Sequence, residues 1–459
     1  MFRSVERIHF IGIGGIGMSG IAEILLNQGF NVSGSDINST EITQNLESLG
    51  AKIFKGHLGK NVHGAEVVVY SSAVNIQENP ESKEAIHLKI PLIRRAEMLS
   101  EVSRLGYSIA VAGTHGKTTT TSMLGLVLIN AGIDPTVIVG GRLKDFGGTN
   151  ARLGEGDWTV VEADEFDRSF LQLTPTISII NNIEAEHLDI YRDLEDIENT
   201  FTEFANKVPF YGSVAVCLDD DGVKNILPLI NKKVITYGFS RNCDIRGDNI
   251  QIDGRNSSCD VYENDKLLGK LEIQIPGEHN LTNALAALTV ARSMNIDFDV
   301  IKEALSKFEG VFRRLEHKGE WNGVKIIDDY AHHPTEVQAT LEGVSKGYSN
   351  RIVCLFQPHT YTRTRDQYKE FARSFDEADV LIVTDVYAAR EKAIDGIDGN
   401  LIAETALQYG HKNVIYVKDN EKIIDSVKSV LKSGDILITM GAGNIWKIGE
   451  ELVSENSNV

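Results

Sequence analysis

Short apolar runs alternate with amphipathic stretches almost from end to end of the chain, the pattern of parallel strands whose faces are covered by helices. The first block opens on Arg7-Ile-His-Phe-Ile-Gly12, then a glycine turn, a helix expected over about residues 16–28, a strand over 30–35 and another over 66–72. A second block starts with a strand over 107–112, passes through a Gly/Thr-rich turn into a helix over 117–129, and continues with strands over 158–162, 177–181, 214–218 and 234–237. Residues 244–275 are turn-rich and read as a small antiparallel excursion, followed by a helix over 281–294. A third block restarts with a strand over 324–328 and repeats the alternation with strands over 352–356, 380–384, 414–417 and 436–439. These restarts place domain boundaries near residues 105 and 311, and a chain of 459 residues is long enough for about three domains. The expected class is α/β, three domains, with mostly parallel sheets; only the last six or so residues read as frayed.

Composition narrows the functions open to such a fold. With 42% hydrophobic and 24% charged residues, a core is easily built and a disordered chain is excluded. A net charge of −19 opposes sequence-blind binding to nucleic acid or anionic lipid, so any polyanionic ligand must be held by local amides, Lys, Arg or a divalent cation. No apolar run approaches the length of a membrane span, and the four cysteines contain no CxxC pair. A reducing cytoplasm is the expected location.

Two turns meet the requirement for local anion binding. Gly12-Ile-Gly14-Gly15-Ile-Gly17 follows a strand and opens a helix, so its amides can approach a diphosphate, and Asp36 ends the next strand where an acid can meet a ribose hydroxyl. This marks a Rossmann-like N-terminal domain over 1–105. The motif alone does not distinguish NAD from a nucleotide sugar. Gly113-Thr114-His115-Gly116-Lys117-Thr118-Thr119 also joins a strand to a helix, with Lys117 able to reach terminal phosphates and Thr118 able to face magnesium. The strict triphosphate loop has glycine at the position of Val111, so this loop is a variant whose first glycine comes later. A diphosphate site and a triphosphate site in separate domains point to ATP-driven chemistry on a nucleotide-linked substrate. A nicotinamide oxidoreductase would explain only the first domain, and a non-enzymatic nucleotide switch would need ATP binding without amino-acid-dependent phosphate release.

At the second turn the chain resembles the Mur ligase family, whose loop reads Gly-Thr-x-Gly-Lys-Thr, and the resemblance continues over nearly the whole length. Its markers include Tyr70-Ser71-Ser72-Ala73-Val74, Arg95-Ala-Glu-Met-Leu99, Glu162-Ala-Asp-Glu165 and Asn182-Ile-Glu-Ala-Glu186-His187-Leu-Asp189. They continue through Pro276-Gly-Glu-His279-Asn280, Asn283, Arg313-Arg314, Asp328-Asp329-Tyr-Ala-His332-His333 and Phe356-Gln-Pro-His359-Thr360-Tyr-Thr-Arg363. Relatives usually carry Asp in place of Glu186, and many carry Arg in place of Thr360.

The resemblance implies a ligase of peptidoglycan precursor synthesis that forms a C–N bond between an acid and an amino acid, its substrates being ATP, UDP-N-acetylmuramate and L-alanine. In that scheme ATP phosphorylates the lactyl carboxylate and the amino acid attacks the acyl phosphate. It implies a central P-loop ATPase-like domain over 106–311 and a C-terminal Rossmann-like, amino-acid-binding domain over 312–459. The UDP sugar is assigned to Gly12, Gly14, Gly15, Gly17, Asp36 and Ser71. ATP is assigned to residues Gly113 to Thr119 with Asn280, Asn283, Arg314 (or its neighbour Arg313) and Asp329. Mg²⁺ is assigned to Thr118 and Glu162, and a second Mg²⁺ close to the acyl phosphate to His187, with Lys117, Glu162 and His187 the catalytic set, and the amino-acid carboxylate to His359 and Arg363. Asn280 is equally placed as a helix N-cap, and of the acids Asp164, Glu165 and Asp167 at least two are expected in supporting or solvated positions. The family's recycling ligase, which adds a ready-made tripeptide, is the nearest rival; Asn206-Lys-Val-Pro-Phe-Tyr-Gly212 favours the alanine-adding type. A monomer or weak homodimer is expected.

Overall fold

Runs such as Ser213–Cys217 and Ile352–Phe356 are buried at every position, which is what a parallel strand covered by helices on both faces requires. A computed structural model of the protein describes residues 5–71, 73–104, 106–141, 150–187, 190–389 and 391–456. Ser72, Leu188, Asp189 and the last three residues, all within segments read above, lie outside them. The strands of the described residues form three sheets, and the chain divides into two compact units, Met1–Asn249 with Cys259–Leu271 and Thr282–Phe308, and Ile250–Ser258 with Glu272–Leu281 and Glu309–Val459.

In the first unit a five-stranded sheet runs in the order Lys52–Lys55, Asn31–Asp36, Arg7–Ile11, Val67–Tyr70, Leu92–Arg94, and its strands pair in parallel. The direction of winding reverses beside Arg7–Ile11, the kind of point where open α/β sheets bind ligands. Register decides what meets there. Ile11 pairs with both Ser35 and Tyr70, so Gly12, Asp36 and Ser71 emerge together at the carboxyl edge.

The ten-stranded sheet has at its centre Ser213–Cys217, Ile177–Ile180, Tyr107–Ala112, Trp158–Glu162 and Thr136–Ile138, all parallel neighbours. Ala112 pairs with Ile180 and Val111 with Glu162, which brings Gly113, Asn181 and Glu162 to one edge. At the far end Ile245–Asp253, Asn256–Glu263 and Lys266–Ile273 are joined by two-residue turns, a connection that only antiparallel strands permit. One buried apolar cluster links the first unit's two sheets: Met98 and Leu99 of the helix Arg95–Ser103 pack with Phe170, and the Ser100 hydroxyl donates to the Gln172 carbonyl at 2.7 Å.

The second unit carries a six-stranded sheet in the order Glu316–Trp321, Val324–Asp329, Ile436–Met440, Ile352–Phe356, Val380–Thr384, Val414–Val417. Its pairs are parallel except the first, which is antiparallel. Met440 pairs with Asp329 and with Phe356, so Tyr330, Gln357 and Gly441 leave the sheet side by side. Pattern reading missed the short strands Lys52–Lys55, Leu92–Arg94, Thr136–Ile138 and Ala151–Arg152, whose two to four residues carry too little periodicity. The helix expected from residue 281 spans Glu278–Ser293. Among the described residues no helix is long and apolar enough to cross a membrane.

Candidate functional site

At the first turn Gly12 adopts φ 80°, a left-handed conformation that suits glycine. The Gly14 amide donates to Asp36 Oδ2 at 2.9 Å and the Asn38 amide to Oδ1 at 3.1 Å, so Asp36, expected at a ribose hydroxyl, also braces the turn itself. Ser71 Oγ lies 3.7 Å from where a Cβ on Gly12 would stand, and Gly15 is the N-cap of the helix Ile16–Asn27. Beside the turn, Arg94 and Arg95 face Asp164 and Asp167 across a cleft of 370 Å³, with Tyr70 and Ser169 also on its wall.

The second turn is held from beneath by a network that sequence reading left out. The Asn182 carbonyl accepts from the Thr114 amide at 3.1 Å and Asn182 Oδ1 from the His115 amide at 2.7 Å, while the Glu184 amide donates to Thr114 Oγ1 at 2.9 Å. Asn181 donates to Thr120 Oγ1 at 3.1 Å and accepts from the Tyr237 hydroxyl at 2.8 Å. Gly116, at φ 78°, packs against Asn283: a Cβ there would stand 2.4 Å from Asn283 Oδ1. Asn283, assigned to the adenine side by resemblance, thus supports the loop and accepts from Thr120 Oγ1 at 3.1 Å. Thr119 is buried at the start of the helix Lys117–Asn130.

Lys117 curls over its own loop, donating to the carbonyls of Gly113 at 2.6 Å and Thr114 at 3.1 Å, and pairs with Glu165 at 2.8 Å. Glu165 is therefore neither solvated nor peripheral. Burial, reinforced by Asp164 and Glu186 and opposed by Lys117, pushes its carboxyl up to about 7. Burial works against the Lys117 charge, but Glu165 and Asp164 outweigh it and hold the ammonium protonated. Tyr191, itself buried, donates to the Glu165 carbonyl at 2.6 Å and lies under the Arg168 guanidinium, locking a turn in which Asp167 and Arg168 take left-handed backbones at φ 54° and 60°.

The three ligands assigned to magnesium by resemblance fall into two neighbourhoods. The Thr118 hydroxyl and the Gly140 amide hydrogen-bond to the Glu162 carboxyl, whose acidity is weakened chiefly by burial. Its Oε1 is buried and has no hydrogen-bond partner among the described residues. His187, at φ 55°, lies 3.9 Å from Glu165 and 4.0 Å from Glu186, and these three offer ligand atoms within 4.8 Å of one another.

In the second unit the two adjacent arginines divide their work. Arg313 donates to the carbonyls of Gly441 at 2.6 Å and Gly443 at 3.2 Å and to Asp328 at 3.1 Å, so it ties the turn after Ile436–Met440 to the sheet. Arg314 reaches Glu336 at 3.4 Å. Asp329 accepts from the amides of Leu315 and Ala331 at 2.7 and 2.8 Å, and burial, opposed by Arg314, pushes its carboxyl up to about 6. Asn280 is no N-cap: it lies inside the first helical turn and donates to the Pro276 carbonyl at 2.7 Å.

Arg363 lies on the first turn of the helix Tyr361–Arg373, 3.4 Å from His359 Nδ1, and the His359 ring stacks on Tyr387 at 5.9 Å. Thr360 holds φ 69°, which strains a β-branched residue. Glu391 was not foreseen: its carboxylate accepts from the Thr362 amide at 3.0 Å and secures the start of that helix.

Burial pushes His279 and His359 down to about 4, with Arg314 and Arg363 respectively adding to the effect. Between that value and the ordinary 6.5 the unfolded chain binds protons that the folded chain refuses, so stability falls as pH drops through this window. Thermal midpoints measured from pH 7 to 4 are expected to fall, and less steeply in His279→Gln; an identical slope in the variant would refute the assignment.

Family models match the chain in three consecutive segments: Mur ligase family, catalytic domain, over residues 7–107; Mur ligase middle domain over 111–291; and Mur ligase, glutamate ligase domain, over 313–443. A protein of Geobacter sp. (strain M21) named UDP-N-acetylmuramate–L-alanine ligase is 50% identical over 455 residues, covering 99% of this chain and 98% of that protein. Among solved structures, a UDP-N-acetylmuramate-alanine ligase from Thermotoga maritima is 29% identical with a TM-score of 0.83, covering 98% of this chain and 99% of that one. A murein peptide ligase from Psychrobacter arcticus is 25% identical with a TM-score of 0.71, covering 99% of each.

Proposed function

The chain belongs to the Mur ligase family, and from that premise we propose that it joins L-alanine to the lactyl carboxylate of UDP-N-acetylmuramate, converting ATP to ADP and phosphate. The observation that carries this reading is identity of 50% over essentially the whole of a ligase so named. The three segments then take three tasks, the sugar nucleotide in 1–105, ATP in 106–311 and the amino acid in 312–459.

A carboxylate oxygen must attack the γ-phosphorus of ATP, and the amine must then attack the acyl carbon and expel phosphate. Both steps crowd anions together, so positioning and charge neutralisation do most of the work. Lys117 supplies an ammonium for the terminal phosphates, and the amides at the start of the helix Lys117–Asn130, from Gly116 to Thr119, receive them, those of Thr114 and His115 being committed to Asn182. Thr118 and Glu162 fit Mg²⁺, since both offer hard oxygens and Glu162 Oε1 is buried without a hydrogen-bond partner among the described residues. His187, whose ring shares a cluster with Glu165 and Glu186, would hold a second Mg²⁺ on the family's pattern. The ions, when bound, would neutralise phosphate charge. Asn280, Arg314 and Asp329 keep the nucleotide role that the family implies, and Arg363 with neutral His359 receives the amino-acid carboxylate. The enzyme is placed in the cytoplasm as a monomer or weak homodimer.

Phosphate release from ATP and UDP-N-acetylmuramate, measured with L-alanine, L-serine, glycine and a tripeptide in turn, tests the reading. L-alanine is expected to give the highest kcat/KM. Preference for the tripeptide would move the chain to the recycling reaction, and no stimulation by any of the four would overturn the ligase reading.

A further inference from the structure

The glycine turn explains diphosphate binding through amides alone, yet a cation lies against it. Gly17 is the second residue of the helix Ile16–Asn27, where amides lack partners within the helix. A Cβ on Gly17 would stand 2.7 Å from the Arg95 Nη1 and 3.3 Å from its Cδ and Cζ. The guanidinium therefore rests on the helix start, in space that only glycine leaves open. Helix packing fixes it there: Met98 and Leu99, on the same helix as Arg95, are buried in the cluster that joins the unit's two sheets. Its other neighbour is Asp164, at 3.9 Å across the cleft, a separation too long for a strong pair and on a side chain that is 44% exposed. Arg95 is thus a weakly held cation at the end of an anion-binding turn, and it also lines the 370 Å³ cleft into which a ligand seated on that turn would extend.

Resting on the reading above, we propose that Arg95 is a diphosphate-binding residue of the sugar-nucleotide site, and that Gly17 is glycine to admit its guanidinium. When the diphosphate arrives, the guanidinium exchanges Asp164 for phosphate oxygens, to which it can donate two parallel hydrogen bonds. The contact favours the diphosphate and is indifferent to the base, so a probe with phosphates and one without should separate it from a merely structural role.

The experiment measures UDP and uridine as competitive inhibitors of the full chain, and the KM for UDP-N-acetylmuramate and for ATP, in wild type, Arg95→Ala, Arg95→Lys, Gly17→Ala and the double variant. Arg95→Ala is expected to weaken UDP and raise the sugar-nucleotide KM by at least about tenfold, with uridine inhibition and the KM for ATP unchanged and partial rescue by Arg95→Lys. Gly17→Ala should displace the guanidinium and reproduce the loss, and the double variant should be little worse than either. Equal UDP inhibition in wild type and Arg95→Ala would overturn the proposal, as would parallel loss of UDP and uridine. Failure of wild type to bind UDP would instead overturn the sugar-nucleotide reading on which the proposal rests.

Discussion

Replacing Lys117 by alanine is expected to lower kcat by about a thousandfold or more, the scale of removing one preorganised charge from a transition state, while UDP inhibition stays intact. The geometry makes this more than a general expectation. The ammonium is anchored by two loop carbonyls and by Glu165, which together occupy its three N–H donors, so its charge is held at the loop and it exchanges one of these acceptors for the terminal phosphates. Because the pair is buried, the variant should also lose stability. An unpartnered buried carboxylate costs on the order of 3 kcal/mol, and the loss is limited because, without the Lys117 charge that opposes burial, Glu165 takes up a proton more readily than in the wild type. A second substitution, Glu165→Gln, should restore the thermal midpoint and leave turnover absent. Phosphate release and thermal melts on the single and double variants check this; recovery of turnover in the double variant would show that Lys117 acts only as the partner of Glu165.

Glu162→Gln is expected to act in opposite directions on stability and activity. The carboxyl is weakened as an acid chiefly by burial, and Oε1 has no hydrogen-bond partner among the described residues, so its charge is a burden on the fold. A neutral amide of the same shape can still accept from Gly140 and meet Thr118, and the thermal midpoint should hold or rise. The same change removes the anionic oxygen offered to magnesium, and kcat should fall by at least about a hundredfold, with a higher Mg²⁺ concentration needed for half-maximal rate. Strain or unmet charge kept at a working site is a common cost of function. A variant that melts earlier and keeps its rate would identify Glu162 as a structural acid.

Local patterns carried much of the fold into view, because buried parallel strands such as Ile352–Phe356 and the two glycine turns are contiguous signals. What they could not carry was partnership. Lys117 and Glu165 are 48 positions apart, and Thr120 and Asn283 are 163 apart, so nothing in either neighbourhood announces the contact. Asn181, Asn182 and Tyr237 were visible only as residues at or just after strand ends, and their support of the phosphate loop appears once register aligns the strands. The Arg313-Arg314 pair shows the same limit. Adjacent arginines look equivalent in sequence, yet a left-handed backbone at Arg313, φ 61°, sends one to the Gly441 turn and the other to Glu336.

The most direct test of the central claim follows an oxygen atom. UDP-N-acetylmuramate labelled with oxygen-18 in the lactyl carboxylate, turned over with ATP and L-alanine, should release ADP and inorganic phosphate carrying one labelled oxygen per alanine joined, because the carboxylate oxygen that attacks the γ-phosphorus leaves with it. Unlabelled phosphate, or AMP in place of ADP, would contradict ligation through an acyl phosphate.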